Sequence, residues 1–161
     1  MPFPLAALLL ALGAPQPFNV SGSVQADTTP AAIGASQWVA QRQGAALAPS
    51  LQGKPVVVDI YASWCPACRT IEPTLSSLKQ QKAGKVTFVT FDVSDAVQLK
   101  KSRERAAGLG LGAFLEANRS QTSLVAVIDP ATGTAVQTFR ASTDEGAYSA
   151  AIKKVQSMLK P

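Results

Sequence analysis

Residues 56–68 have the sequence VVVDIYASWCPAC, which carries the strongest structural signal in the chain. The first six residues are mostly β-branched or aromatic, a composition that predicts a buried β-strand over 56–61. From Cys68 to Gln81, apolar side chains recur at the spacing of one helix face, at Ile71, Leu75 and Leu78, which predicts a helix. Cys65 and Cys68 therefore lie where a strand passes into the N-terminus of a helix.

These two cysteines are the only ones in the 161-residue chain. At a helix N-terminus, free backbone N–H groups and the positive end of the helix dipole stabilise an anion. A thiolate is such an anion, and thiolates rather than thiols carry out disulfide exchange. The sequence therefore predicts a redox-active pair. Cys65, at the exposed start of the helix, is expected to attack, and Cys68, one turn inside, is expected to resolve the mixed disulfide.

The segment DIYASWCPACR (residues 59–69) resembles the active-site segment of the thioredoxin family, and Pro73 matches a proline of that family's active-site helix. The likeness in motifs is confined to residues 56–75, whereas the order of elements is similar over roughly 54–160. The resemblance implies an α/β thioredoxin-like fold, with a central mixed β-sheet and helices on both faces. It also implies the activity of a thiol–disulfide oxidoreductase.

Other sites built on two cysteines fit the sequence less well. A zinc site takes about four nitrogen or sulfur ligands, and the chain has no further cysteine and no histidine. A c-type haem site needs a histidine directly after the second cysteine, where Arg69 stands. A structural disulfide stays open as an alternative, although closing so small a ring gains little chain entropy. We therefore expect no metal and no other cofactor.

Asp59 is the third catalytic candidate. A carboxyl group among Val56, Val57, Val58 and Ile60 is expected to be partly buried and to have a raised pKa. The resemblance implies that this acid moves a proton to or from the second thiol. The lysine that often accompanies it in the family has no counterpart, since Thr90 takes that place. The alternative is that Asp59 lies on a solvated strand edge.

The residues around the cysteines are expected to contact substrate. Trp64 either shields the disulfide or fills the core. Pro66 stiffens the loop but removes one N–H group that could have faced the thiolate. Ala67 offers neither the charge nor the hydrogen bond of a histidine. Because strong oxidants depend on a stabilised dithiol form, this tetrad favours a reductant or exchange protein over a primary oxidant.

A second substrate contact is expected before the strand at Leu124, where the family normally places a cis-proline. The chain has Thr122 and Ser123 there. A cis bond before a residue other than proline costs about 3–4 kcal/mol, so we expect a trans bond and a changed substrate surface. The stretch 108–121 is longer than the family's usual connection, and it is expected to form a substrate-facing loop.

The remaining elements are expected to complete the order βαβαββα. They are a strand over 86–92, a helix over 95–107 capped by Ser94, a helical turn over 114–118, strands over 124–128 and 135–140 joined by a hairpin turn, and a helix over 143–159.

The N-terminal part has a different composition. Residues 3–12 are apolar and no charged side chain precedes Asp27, but a membrane-spanning helix needs about 20 such residues. We expect residues 1–26 to be a signal peptide that ends in Val24-Gln25-Ala26. An uncleaved anchor is the alternative, because the usual positive residues are missing. Residues 27–53 are expected to form a linker and a helical extension, with a helix over 36–47, and residues 54–161 the thioredoxin-like domain.

Composition limits the partners. Hydrophobic residues make up 47% of the chain and charged ones 16%, which indicates one globular domain. The net charge of +5 comes without basic stripes studded with aromatic residues, so nucleic acid is not an expected partner. We expect a monomer exported to the periplasm or an equivalent compartment, where disulfides persist, and membrane association only if residues 1–26 are retained.

The expected substrates are protein thiols and disulfides, with a soluble or membrane-embedded thiol reductant as electron donor. The alternative function is a non-catalytic binding or assembly module that holds a partner with the surface around Thr122 and Ser123. A redox titration separates the two, because only an active pair exchanges with glutathione or dithiothreitol at a defined potential.

Overall fold

The computed structural model of the protein describes residues 45–160. A short 3-10 helix, Pro49–Leu51, precedes four strands and four α-helices, which are in chain order β1 (Val56–Tyr61), α1 (Pro66–Gln81), β2 (Thr87–Asp92), α2 (Ala96–Leu109), α3 (Gly112–Asn118), β3 (Leu124–Asp129), β4 (Thr134–Arg140) and α4 (Glu145–Met158). The strands form one sheet in the order β2-β1-β3-β4. β1 and β2 run parallel, whereas β3 is antiparallel to both β1 and β4. The predicted mixed sheet is confirmed.

Strand β1 supplies side chains to two apolar layers, one on each face of the sheet. Val56, Val58 and Ile60 pack with residues of α2 and α3. Val57 lies on the opposite face among residues of α1 and α4. Asp59 shares the face of Val57, because side chains alternate along a strand. The helices therefore cover both faces of the sheet, as expected for the thioredoxin-like fold, and Asp59 points toward α1.

Helix α1 begins two residues before the predicted start, with Pro66 at its first position and Cys65 as the N-cap. Proline is favoured there because the first N–H groups of a helix have no partner inside the helix. The apolar side chains that predicted the helix are all buried: Ile71, Leu75 and Leu78. Pro73 lies inside the helix. The packing of this face therefore fixes the two cysteines against the sheet.

The predicted cap of α2 was wrong. Asp95, not Ser94, caps the helix, and its carboxylate accepts hydrogen bonds from the N–H groups of Val97 and Gln98 at 2.8 and 2.9 Å. The Ser94 hydroxyl instead donates to the carboxylate of Asp92. Both residue types cap helices well, so the sequence did not separate two adjacent candidates.

The expected loop over 108–121 was also wrong. Most of it is helical, since α2 runs on to Leu109 and α3 follows almost at once. Leu111 and Leu115 are buried in the layer under α2 and α3. The extra length therefore adds a packed helix to the core rather than a substrate-facing loop.

The N-terminal predictions fall largely outside the described residues. These are the signal peptide or anchor over 1–26, the linker that follows it, and most of the helix over 36–47. The described end of that predicted helix is not helical, and the N–H of Leu47 donates to the carbonyl of Pro130 at 2.9 Å. Leu47 and Leu51 are buried in the core. Between residues 45 and 160, no helix has the length and apolar character needed to cross a bilayer.

Candidate active site

Cys65 occupies the junction between β1 and α1. Its sulfur accepts a hydrogen bond from the N–H of Cys68 at 3.2 Å, and both residues are free thiols. The expectation of an exposed Cys65 was wrong, since the residue is only 4% exposed. Ala62, Tyr61 and Val93 pack around the two cysteines. The Cys65 sulfur therefore lies in a largely covered position at the helix end.

Hydrogen bonds set the acidity of Cys65. Burial alone would raise the pKa of its thiol. Hydrogen bonds from the Cys68 thiol, the Thr122 hydroxyl and the N–H groups of Cys68 and Ala67 stabilise the thiolate, and together they lower the pKa below its ordinary value. None of these donors carries a charge, so the thiolate is held by neutral groups alone.

Cys68 has the opposite character. It is 2% exposed, and its thiol lies 3.9 Å from the carbonyl oxygen of Ile60. Burial, and the hydrogen bond that its thiol makes to Cys65, raise the pKa of Cys68 to about 11. The pair therefore contains one sulfur whose pKa is lowered and one whose pKa is raised, and at neutral pH Cys68 keeps its proton.

Asp59 lies on an inner strand between β2 and β3, so the alternative of a solvated edge was wrong. The residue is 8% exposed, and its Oδ1 atom has no hydrogen-bond partner among residues 45–160. Burial raises the pKa of Asp59 to about 6, with Lys79 opposing the shift and Glu72 adding to it. Asp59 therefore gains and loses a proton close to neutral pH.

A cavity of about 290 Å³ connects Asp59 with Cys68. Its lining comes from β1, β2 and one face of α1, and consists of Asp59, Tyr61, Cys68, Glu72, Leu75, Ser76, Lys79 and Thr90. Thr90 is the register partner of Asp59, as the sequence suggested. The volume is enough for several water molecules, each of which occupies about 30 Å³ in the liquid.

Trp64 and Pro66 form the exposed surface beside Cys65. Trp64 is 60% exposed, and its indole N–H donates to the carbonyl of Ser94 at 3.0 Å. The alternative that Trp64 fills the core was therefore wrong. Pro66 is exposed and Ala67 is half-buried. The exposed surface beside Cys65 therefore includes an aromatic ring and a proline.

Thr122 and Ser123 take different parts in the site. The bond between them is trans, since residues 45–160 contain no cis peptide bond. Ser123 is buried, with φ of 64°. Its N–H donates to the carbonyl of Ile60 at 2.9 Å, and its carbonyl accepts from the N–H of Ala141 at 3.1 Å. Ser123 therefore contributes its backbone to the fold, whereas Thr122 faces the Cys65 sulfur.

The thioredoxin family model matches residues 40–105 of the chain. Thioredoxin H-type of Chlamydomonas reinhardtii is 50% identical over 44 residues, which are 27% of this chain and 38% of that protein. Thioredoxin C-2 of Corynebacterium nephridii is 48% identical over 40 residues, which are 25% of this chain and 37% of that protein. The matched segment of this chain is therefore similar to the thioredoxin family.

The sequence likeness is confined to part of each protein. The matched part spans less than half the length of these curated relatives. A solved structure of a thiol:disulfide interchange protein from Chlorobium tepidum TLS aligns with a TM-score of 0.48 and 21% identity, covering 66% of this chain and 83% of that one.

Neither of the two charged residues that line the cavity with Asp59, namely Glu72 and Lys79, was identified from the sequence. Lys79 lines the cavity beside Asp59 and acts on its pKa. A signal was present, because Cys68, Glu72 and Lys79 are spaced by four and seven residues and so share one face of α1. The family resemblance pointed instead to the neighbouring strand, where Thr90 offers no charge.

Proposed function

We propose that this protein is a thiol–disulfide oxidoreductase that reduces or exchanges disulfides of proteins outside the cytoplasm, with Cys65 and Cys68 as its redox pair. The observation that carries the proposal is the opposite behaviour of two adjoining thiols. Hydrogen bonds lower the pKa of Cys65, whereas burial raises that of Cys68 to about 11. Thiol–disulfide exchange needs one ready nucleophile and one sulfur held in reserve.

The reaction proceeds in two displacements. The Cys65 thiolate attacks one sulfur of a substrate disulfide, forms a mixed disulfide with it and releases the other substrate sulfur as a thiolate. Cys68 then loses its proton, and its thiolate attacks Cys65. The bond between Cys65 and the substrate breaks, and the second substrate sulfur leaves. The substrate has gained two electrons, and Cys65 and Cys68 are joined by a disulfide.

Asp59 accepts the proton that Cys68 loses in the second displacement. The two residues line the same cavity, which is large enough for water to carry the proton between them. A base works best when its pKa is near the working pH, and burial places the pKa of Asp59 at about 6. The proton then passes to the departing substrate thiolate or to solvent.

The way in which the Cys65 thiolate is held supports one direction of exchange. Strong oxidants owe their potential to a stabilised reduced form. Here the donors to Cys65 are neutral, namely one thiol, one hydroxyl and two backbone N–H groups. This favours a reductant or exchange protein. A soluble or membrane-embedded thiol donor would reduce its Cys65–Cys68 disulfide again after each cycle. The exposed Trp64 and Pro66, with Ala67 and Thr122, are proposed to contact the substrate chain.

Trapping of substrates tests the proposal. In Cys68→Ala the second displacement is blocked, so a mixed disulfide on Cys65 is expected to accumulate with natural partners. Cys65→Ala is the matched control and is expected to trap nothing. Equal trapping by both variants, or failure of the wild-type pair to equilibrate with glutathione or dithiothreitol, would remove the redox proposal and leave a binding module.

Export is a separate part of the proposal and rests on the sequence of residues 1–26. The apolar run at 3–12 and the small residues before Asp27 support a cleaved signal peptide. N-terminal sequencing of the natural protein is expected to begin near Asp27. A sequence that begins at Met1 or Pro2 would show that residues 1–26 are retained and would favour an anchor.

A further inference from the structure

Asp59 has an unusual combination of surroundings. It lies in an apolar layer, and its Oδ1 atom has no hydrogen-bond partner among the described residues. A buried carboxylate without partners is costly, and such a group normally takes up a proton instead. A protonated Asp59 could not accept the proton of Cys68. Something nearby must therefore favour the ionised form if the resolving step is to run at neutral pH.

Lys79 is the cation that the cavity offers. Among the described residues that line the cavity, it is the sole basic side chain. Lys79 lies in the last turn of α1 on the same helix face as Cys68 and Glu72. The side chain is exposed, so the ammonium group keeps contact with water while it borders the space that holds the Asp59 carboxylate.

Strand β2, which pairs with the strand of Asp59, supplies no cation to the cavity. Thr90 is the register partner of Asp59 in the parallel pair of β1 and β2. It lines the same cavity and offers only a hydroxyl group. A cation for Asp59 must therefore come from another element, and α1 is the element that supplies one.

We propose that Lys79 is a positioning residue that keeps Asp59 ionised for the resolving step, from a place on α1 rather than on the neighbouring strand. The inference rests on the redox function proposed above. Lys79 does not touch the reacting sulfur atoms. Its charge acts across the cavity on the carboxylate that receives the Cys68 proton.

The other groups that face Asp59 do not supply this charge. Helix α1 contributes Cys68 and Glu72, and β1 itself contributes Tyr61. Helix α4 contributes Tyr148, and β3 contributes Val125, which lies opposite Asp59 in the sheet. Burial, together with the charge of Asp59, raises the pKa of Tyr148 to about 12, so that phenol stays neutral. Glu72 raises the pKa of Asp59, whereas Lys79 lowers it. Lys79 is thus the group that opposes protonation.

The test compares Lys79→Met with Lys82→Met. Both lysines lie near the C-terminal end of α1, but Lys82 does not line the cavity. In Lys79→Met, the Asp59 carboxyl pKa measured by NMR on the reduced protein is expected to rise by roughly half a unit to one unit, because an exposed charge is partly screened. The acidic limb of the resolving rate is expected to move by the same amount. Lys82→Met is expected to leave both unchanged.

A relocated charge supplies the second arm of the test. Adding Thr90→Lys to Lys79→Met is expected to return the Asp59 titration and the acidic limb toward wild type. An unchanged Asp59 titration in Lys79→Met, or an equal shift in Lys82→Met, would overturn the inference. The NMR titration needs no turnover, so it separates this failure from a wild-type pair that does not exchange disulfides at all, which would instead refute the redox function.

Discussion

Helices α1 and α2 begin in equivalent places in the fold, but different atoms cap their N-termini. Each follows one of the two parallel strands, β1 and β2, and so begins at the same edge of the sheet. Asp95 caps α2 through two hydrogen bonds to its carboxylate. Cys65 caps α1 through its sulfur, which accepts the N–H of Cys68 at 3.2 Å.

Both helices place a hydrogen-bond acceptor at the N-terminus, but the acceptor serves a different purpose in each. A helix N-terminus favours a negative charge next to its free N–H groups. At α2 the capping group is the side chain of Asp95, which takes no part in disulfide exchange, so its effect is on stability. At α1 the charge appears only when the Cys65 thiol ionises, and the atom that carries it is the proposed nucleophile. Substitutions at the two helix ends are expected to separate an effect on disulfide exchange from an effect on stability.

Removal of the reactive cap is expected to have the largest effect. Cys65→Ala should reduce disulfide exchange by roughly 1,000-fold or more, because no other nucleophile remains to start the reaction. The measurement is the rate at which the reduced protein reduces a protein disulfide. Retention of more than a tenth of the rate would show that Cys65 is not the attacking group.

Asp59→Asn is expected to slow the resolving step by about 100-fold above pH 6, since an amide cannot accept the Cys68 proton. Below about pH 5 the wild-type acid is itself protonated, so the difference should shrink. A pH–rate profile of the second displacement measures both limbs. Coincident profiles would remove Asp59 from the mechanism.

The same substitution makes a prediction about stability, with a definite sign. The pKa of Asp59 is about 6 in the folded protein and 3.8 in its ordinary state, so the folded state binds the proton more tightly. The wild type therefore loses stability as the pH rises from about 4 to 6. Asp59→Asn should gain up to about 3 kcal/mol in free energy of unfolding above pH 6 and little below pH 4.

Asp129→Asn is the matched control for that stability measurement. Asp129 is also buried, but its two oxygens accept the N–H of Ala131 and the hydroxyl of Thr132, each at 3.0 Å. Replacing a satisfied carboxylate with an amide should lower the free energy of unfolding by about 1 kcal/mol. Stabilisation in both variants would mean that the gain at Asp59 does not come from relief of an unpartnered charge.

The hydroxyl of Thr122 is expected to have a smaller effect. Thr122→Val removes one donor to the Cys65 sulfur and should raise the pKa of that thiol. The attack at pH 7 should slow by roughly 3- to 10-fold, the equivalent of one hydrogen bond. Thr122→Ser keeps the hydroxyl and should retain the wild-type rate. Equal rates for the two variants would contradict a role of the hydroxyl.

The structural cap is expected to leave exchange unchanged. Asp95→Ala should lower the free energy of unfolding by about 1 kcal/mol, the usual cost of losing a cap, without altering the rate of disulfide reduction. Asp95→Asn retains a capping oxygen and should lose less. A clear loss of activity in Asp95→Ala would show that the two helix ends are coupled rather than independent.

Sequence patterns predicted the frame of the fold well because each element carries a local signal. The β-branched run of β1 and the apolar face of α1 mark elements that bury those side chains. The cap of α2 and the helix α3 were predicted less well. Asp95 and Ser94 are residue types with similar capping preference. Whether Leu111 and Leu115 are buried depends on contacts with residues distant in sequence.

The candidate site was predictable in its chemistry but not in its surroundings. The cysteine pair and Asp59 follow from a short motif. The burial of Cys65, the positive φ of Ser123 and the cavity beside Lys79 arise only when β1, β2, α1 and the segment before β3 come together. No local spacing encodes that meeting of four segments.

The most direct test of the two-thiol account is the pH dependence of alkylation at each cysteine of the reduced wild-type protein. Limited iodoacetamide labelling followed by peptide mapping measures the rate at Cys65 and Cys68 separately. The account predicts that Cys65 is labelled first, with an apparent pKa below the ordinary 9.0, and that Cys68 reacts slowly until about pH 11. Labelling of Cys68 first, or at an equal rate across the neutral range, would contradict the assignment of attacker and resolver.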